Sequence, residues 1–186
     1  MTSNDIISAV THWTNWASIT NNQRYDIALL KIWIQFEKFV GELFVTYAIG
    51  GTSETGYAPA LKVRFCNEEH LNAFLRDGNR TYIDYLSQVQ KLSKHIFVNN
   101  PFDVIFADIT FNTVYCQIVA IRNYIAHESG EAKSKMIKTC FGGNDSHFKE
   151  PQDYLLKREC STGNTYYTFY TDAIKNMATL LASPPN

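Results

Sequence analysis

The amino-acid sequence predicts an all-α protein, an up-and-down bundle of helices with a small irregular or β-hairpin insertion before the last one. Three observations lead there. Apolar residues recur at helical spacing through most of the chain. These stretches open and close at residues that start and stop helices, among them Asn67-Glu68-Glu69, Asn100-Pro101 and Gly50-Gly51. Strand-like sequence is confined to the short segments 61–65 and 154–169.

In chain order, Ser3 and Asp5 make a helix start, and Ile6, Ile7, Val10, Trp13 and Trp16 form an apolar stripe after it. Asn21 and Asn22 can cap a long central helix from about Gln23 to Ile49, which Gly50-Gly51 ends because glycine takes a left-handed C-cap at low steric cost. A loop follows to Cys66, with Leu61 to Phe65 as its extended piece. Asn67-Glu68-Glu69 combines a cap with acidic first-turn residues and opens a helix to about Arg76. Asp77-Gly78-Asn79 breaks it before a further helix from Thr81 to Phe97. Asn100 as cap with Pro101 in the first helical position predicts one long helix reaching Glu128, where Ser129-Gly130 stops it. A short helix is expected from Glu131 to Thr139, then irregular chain at Phe141-Gly142-Gly143-Asn144 and Pro151. Tyr154 to Phe169, with Ser161-Thr162-Gly163-Asn164 at its centre, reads as a β-hairpin, and a last helix spans Asp172 to Leu181 before Pro184-Pro185. No internal repeat and no dividing linker is present, so the 186 residues read as one domain.

Composition narrows the function classes. With 45% hydrophobic and 19% charged residues the chain is globular, and a net charge of −1 argues against a broad basic surface for nucleic acid. Any nucleic-acid chemistry therefore has to come from a local site, to which the clusters Lys133/Lys135/Lys138 and Lys157/Arg158 either add field or are only solvated faces. Cys66, Cys116, Cys140 and Cys160 form no CxxC pair, and His12, His70, His95 and His147 show no HExxH or other ligand spacing. The expectation is reduced, packed thiols with no metal and no cofactor. The N-terminus lacks a basic and an apolar region of the secretory kind, and no apolar run is long enough to span a bilayer, so a cytoplasmic chain without a membrane partner is expected.

On the long helix, Phe111, Val114, Ile118, Ile121 and Ile125 share one face and should pack into the bundle. Roughly opposite lie Asn123 and His127, with the small residues Cys116 and Ala120, and Arg122 falls on the flank between. Placed at the end of this helix, Arg122-Asn123-Tyr124-Ile125-Ala126-His127 resembles the signature of the HEPN superfamily: Arg, four to six intervening residues (four here) and then His, with a polar residue directly after the Arg. The resemblance covers six residues as motif and most of the chain as architecture, namely a long central helix, the motif helix and a closing helix. It implies a HEPN-type bundle. It further implies an endoribonuclease of toxin–antitoxin, abortive-infection or related defence systems, with Arg122 and His127 catalytic, two protomers meeting at the motif, and an antitoxin or other regulatory protein as a partner. Other members of the superfamily are non-catalytic interaction or nucleotide-binding modules, which is the alternative reading.

The chemistry suits those residue types. Metal-independent RNA cleavage needs a base for the 2′-hydroxyl proton, an acid for the departing 5′ oxygen, and positive charge on the crowded phosphate. Histidine exchanges protons near neutrality, and arginine forks two donors onto phosphate oxygens. The plainer reading is that both simply favour the negative end of a helix dipole. Asn123 can orient either group. Tyr124 can pack or stack on a base. On the central helix Lys31, Gln35, Lys38 and Glu42 mark the wet face, whereas Glu37 projects toward Leu30, Trp33, Val40 and Phe44. A carboxylate there needs a partner, for which Arg122 or His127 is the candidate; either it orients the site or it only fixes helix register. With one motif histidine per chain, the expected base and acid come from two chains, meeting at the small-residue face of Cys116 and Ala120.

Overall fold

The computed structural model describes residues 1–19, 23–76, 85–160 and 163–185. Among them the chain is all-α, with nine α-helices and no β-strand: α1 Ser3–Ile19, α2 Tyr25–Ala48, α3 Glu68–Leu75, α4 Tyr85–Ile96, α5 Asp103–Phe106, α6 Ile109–His127, α7 Gly130–Cys140, α8 Pro151–Leu156 and α9 Tyr166–Ala182. The expected caps at Asn21 and Asn22, the break at Asp77-Gly78-Asn79 and the start at Thr81 lie outside the described residues.

Helix α2 is the hub because it is apolar on nearly every side. Trp33, Phe36, Phe39, Phe44 and Tyr47 are all buried on it, and it packs against α1, α4, α6, α8 and α9. Its end is a Schellman cap: Gly50 takes φ +84°, its N–H donates to Tyr47 O, and Gly51 N–H donates to Thr46 O at 2.8 Å. A Cβ on Gly51 would lie 2.8 Å from the Thr46 side chain and 2.9 Å from its carbonyl oxygen, so this position excludes any larger residue. The following loop forms no strand. Leu61 makes a single antiparallel bridge with Phe97 at the end of α4, and Lys62 N–H donates to Ile96 O at 2.7 Å.

Further expectations are corrected. The long helix from Asn100 is interrupted at Ala107-Asp108. Asp108 adopts an extended backbone (φ −73°, ψ 122°) and its Oδ1 accepts from Phe111 N–H at 2.8 Å, so an N-cap wins over helical continuity and α6 starts afresh at Ile109. The preceding single turn, α5, buries Ile105, and Phe102 beside it packs edge-on against Phe44 of α2 at 5.9 Å. Among the described residues the hairpin expected over 154–169 is also absent; Ser161 and Thr162 at its expected centre lie outside them. Pro151, expected in irregular chain, is the first residue of α8, and only the Arg158–Thr165 bridge remains of the strand pairing. The aromatic run Tyr166, Tyr167, Phe169 and Tyr170 belongs to α9, with Thr165 as its cap. Tyr167, Tyr170, Thr171, Ile174, Met177, Ala178 and Leu181 are buried at helical spacing, so burial overrides the strand preference of tyrosine and phenylalanine.

Helices α6 and α7 form a tight corner that fixes the end of α6. His127 is its last residue, Glu128 turns left-handed (φ 46°), and the Ser129 hydroxyl accepts from Ala132 N–H to cap α7. The stop thus resides in Glu128 and Ser129, while Gly130 is already helical. None of the helices is long and apolar enough, over the described residues, to cross a membrane.

Candidate functional site

The site begins with Trp33 on α2. Its side chain is buried, so its indole N–H needs an acceptor, and one turn later Glu37 Oε1 provides it at 2.9 Å. That bond aims the other carboxylate oxygen, Oε2, across the α2–α6 contact to Arg122 Nη2 at 3.1 Å. Arg122 Nη1 in turn donates to Asn123 Oδ1 at 2.8 Å. The Glu37 and Arg122 side chains are 25% and 28% exposed, so the pair lies at the edge of the core rather than inside it. Arg122 Nε is enclosed and has no hydrogen-bond partner. An Arg of this kind has five N–H groups; with Nε enclosed and two donated, one N–H on each terminal nitrogen remains for another acceptor.

His127 is exposed at the last turn of α6 and has no hydrogen bond or ion pair among the described residues. The structure therefore brings Trp33, Glu37, Arg122 and Asn123 together and leaves His127 apart from them, less than two turns further along the same helix. Tyr124 turns the other way. Its ring meets Phe148 edge-to-face at 5.8 Å and its hydroxyl donates to Glu150 Oε1 at 3.4 Å. Burial and the adjacent Glu150 carboxylate both push the Tyr124 phenol above its ordinary pKa, so it stays a donor at neutral pH.

On the inner face of α6, Val114, Ile118 and Ile121 are buried, with Phe111 and Ile125 partly so. The outer face is narrower than the sequence suggests: Cys116 is exposed, but Ala120 is 6% exposed and already covered within its own chain. Of the basic residues, Lys133 lies over the Phe148 ring, 4.3 Å from its centroid. Trp33 stands beside Glu37 as the sequence suggests, whereas Phe148 is a member of this neighbourhood that the sequence does not reveal. The Trp33 contact follows from helical spacing to Glu37, whereas Phe148 is brought in by the irregular chain after α7, which no periodicity describes.

A groove of about 710 Å³ runs beside α2 and is bordered by Glu37, Lys38, Glu42, Val45, Ile49 and Glu54; it does not reach Arg122 or His127. Among the described residues no three His, Cys, Asp or Glu side chains converge as a metal-ligand set. Comparison of the chain with protein-family models, with curated proteins and with solved structures finds no match.

Proposed function

We propose that this all-α chain is a HEPN-type bundle acting as a homodimeric, metal-independent endoribonuclease, a toxin or defence effector. The observation that carries the reading is the end of α6, where Arg122 is fixed from behind by Glu37 and Asn123 while an exposed His127, without a partner among the described residues, lies ahead of it on the same helix. In the proposed reaction one histidine takes the proton from the 2′-hydroxyl, whose oxygen attacks the phosphorus. The bond from phosphorus to the 5′ oxygen breaks, and a second protonated histidine gives its proton to that oxygen. The free N–H groups of Arg122 stabilise the charge on the pentacoordinate phosphate, and their fixed geometry is what makes them effective. The products are a 2′,3′-cyclic phosphate and a 5′-hydroxyl. Since each chain has one motif histidine, the two proton-transfer roles fall to the His127 residues of two protomers related by a two-fold axis.

The test is incubation of purified protein with mixed RNA in excess EDTA, followed by analysis of the product ends. Cleavage with cyclic-phosphate ends supports the reading; activity abolished by EDTA and restored by magnesium overturns it. Mixing wild-type chains with excess His127→Ala chains under subunit exchange tests the composite site, because activity should fall well below simple dilution.

A second reading, a non-catalytic interaction or nucleotide-binding module, is favoured by one observation: Glu37 already neutralises Arg122 within the chain. Full RNase inactivity of a folded dimer, with and without divalent metal, would select it.

A further inference from the structure

On the outer side of α7, Lys133, Ser134, Ile137 and Lys138 face the turn at 142–145 across a cavity of about 600 Å³, which Gly143 and Asp145 close from the other side. The turn can fold back over the helix because Gly142 and Gly143 both take left-handed backbone angles (φ +61° and +82°). Neither Lys133 nor Lys138 forms an ion pair among the described residues, in contrast to Lys135, which is held by Glu131 at 3.0 Å. Two cations without an ion-pair partner among the described residues therefore border one cavity, with the Asp145 carboxylate on its other side.

Lys133 is also anchored. Its ammonium sits 4.3 Å from the centre of the Phe148 ring, and Phe148 meets Tyr124 at 5.8 Å, one turn before His127 on α6. The cavity is thus joined to the end of α6 through the partly buried Phe148 and Tyr124 rings, with the Glu150 carboxylate on the Tyr124 hydroxyl, so what it offers a nucleic-acid strand is its two lysine cations for the phosphates. Ser134 adds no donor, since its hydroxyl is spent on Gly130 O at 2.9 Å. The charge on the cavity wall, Lys133 and Lys138 against Asp145, leaves a single net positive charge. That matches a phosphodiester, which carries one negative charge, better than a terminal phosphate, which carries nearly two near neutrality.

We propose that this cavity seats one internal phosphodiester of single-stranded RNA, holding the strand beside the end of α6. The proposal rests on the ribonuclease reading and adds to it where the substrate is gripped outside the reacting phosphate. The full-length chain is titrated by fluorescence anisotropy against a single-stranded 2′-O-methyl oligoribonucleotide without terminal phosphates, which cannot be cleaved by 2′-hydroxyl attack. Lys133→Ala/Lys138→Ala should weaken binding about tenfold and make the log–log salt dependence shallower by about 0.7, the contribution of one phosphate on a single strand. Alanine is a better helix former than lysine, so the double variant keeps its fold. Lys135→Ala should bind as the wild type does, and Asp145→Asn should bind more tightly, with the larger gain on an oligonucleotide carrying a 5′-phosphate. A double variant that binds like wild type while wild type cuts RNA overturns this proposal and leaves the ribonuclease reading intact. A wild-type protein that neither binds the oligonucleotide nor cuts RNA overturns both. Binding of a polyglutamate peptide as tightly as RNA also overturns it, making the cavity a site for acidic peptides.

Discussion

Replacing Glu37 by alanine should destabilise the protein in two separable ways. The first is the loss of the acceptor for the Trp33 indole N–H, which lies on a fully buried side chain; an orphaned buried donor costs about 1–3 kcal/mol. The second is the loss of the Arg122 ion pair. With both side chains about one-quarter exposed, solvent screening keeps it well below a buried pair, and it contributes about 1 kcal/mol. Glu37→Ala should therefore cost about 3 kcal/mol, a fall in Tm of about 6–12 °C for a domain of this size. Glu37→Gln keeps a carbonyl oxygen for Trp33 and loses only the charge, so it should cost about 1 kcal/mol, or about 2–4 °C. Thermal melts followed by circular dichroism measure both, and RNA cleavage by the Gln variant should fall less than in Arg122→Ala or His127→Ala. Equal melting of wild type and both variants would refute the claim that Glu37 links Trp33 to Arg122.

Glu128 holds a left-handed backbone at φ 46° without being glycine, so Glu128→Gly should stabilise the protein by about 0.5–1 kcal/mol and Glu128→Val should destabilise it by more than 1 kcal/mol, measured by urea unfolding. An unchanged or reversed order would show that the α6–α7 corner is not strained there. Burial pushes the Cys140 thiol up to about 12, and its sulfur lies against Gln117 O, whereas Cys66, Cys116 and Cys160 are exposed. Alkylation of the native protein at pH 8, read by mass spectrometry, should therefore label Cys66 and Cys160 and spare Cys140; labelling of Cys140 at the same rate as those two would contradict its burial.

The helical class, the end of α2 and the start of α3 were legible in the sequence because each rests on local chemistry: apolar spacing, paired glycines at 50 and 51, and Asn67 as a cap whose side chain accepts from His70 N–H. The split of the motif helix was less visible. Asp108 lies in an unbroken run of helix-compatible residues, and only its capping bond to Phe111 shows that a new helix begins. The start of α9 was misread because tyrosine and phenylalanine suit strands as well as helices, and only the tertiary burial of Tyr167 and Tyr170 decides between them. At the site, the inward direction of Glu37 and the flank position of Arg122 follow from turns of 100° per residue, and the two meet at 3.1 Å. The covering of Ala120, and the Tyr124–Phe148–Lys133 contacts, depend on how α7 and the chain after it fold back, which helical spacing does not encode.

The most direct measurement is the rate at which purified wild type and His127→Ala cleave the same RNA in excess EDTA, with melting temperatures recorded alongside. His127 is exposed and has no hydrogen bond or ion pair among the described residues, so its removal should leave the fold intact, and an unchanged Tm assigns a loss of rate to the site. A fall of about 10²- to 10⁴-fold with an unchanged Tm is the result the ribonuclease reading predicts. Equal cleavage by the two proteins would contradict it.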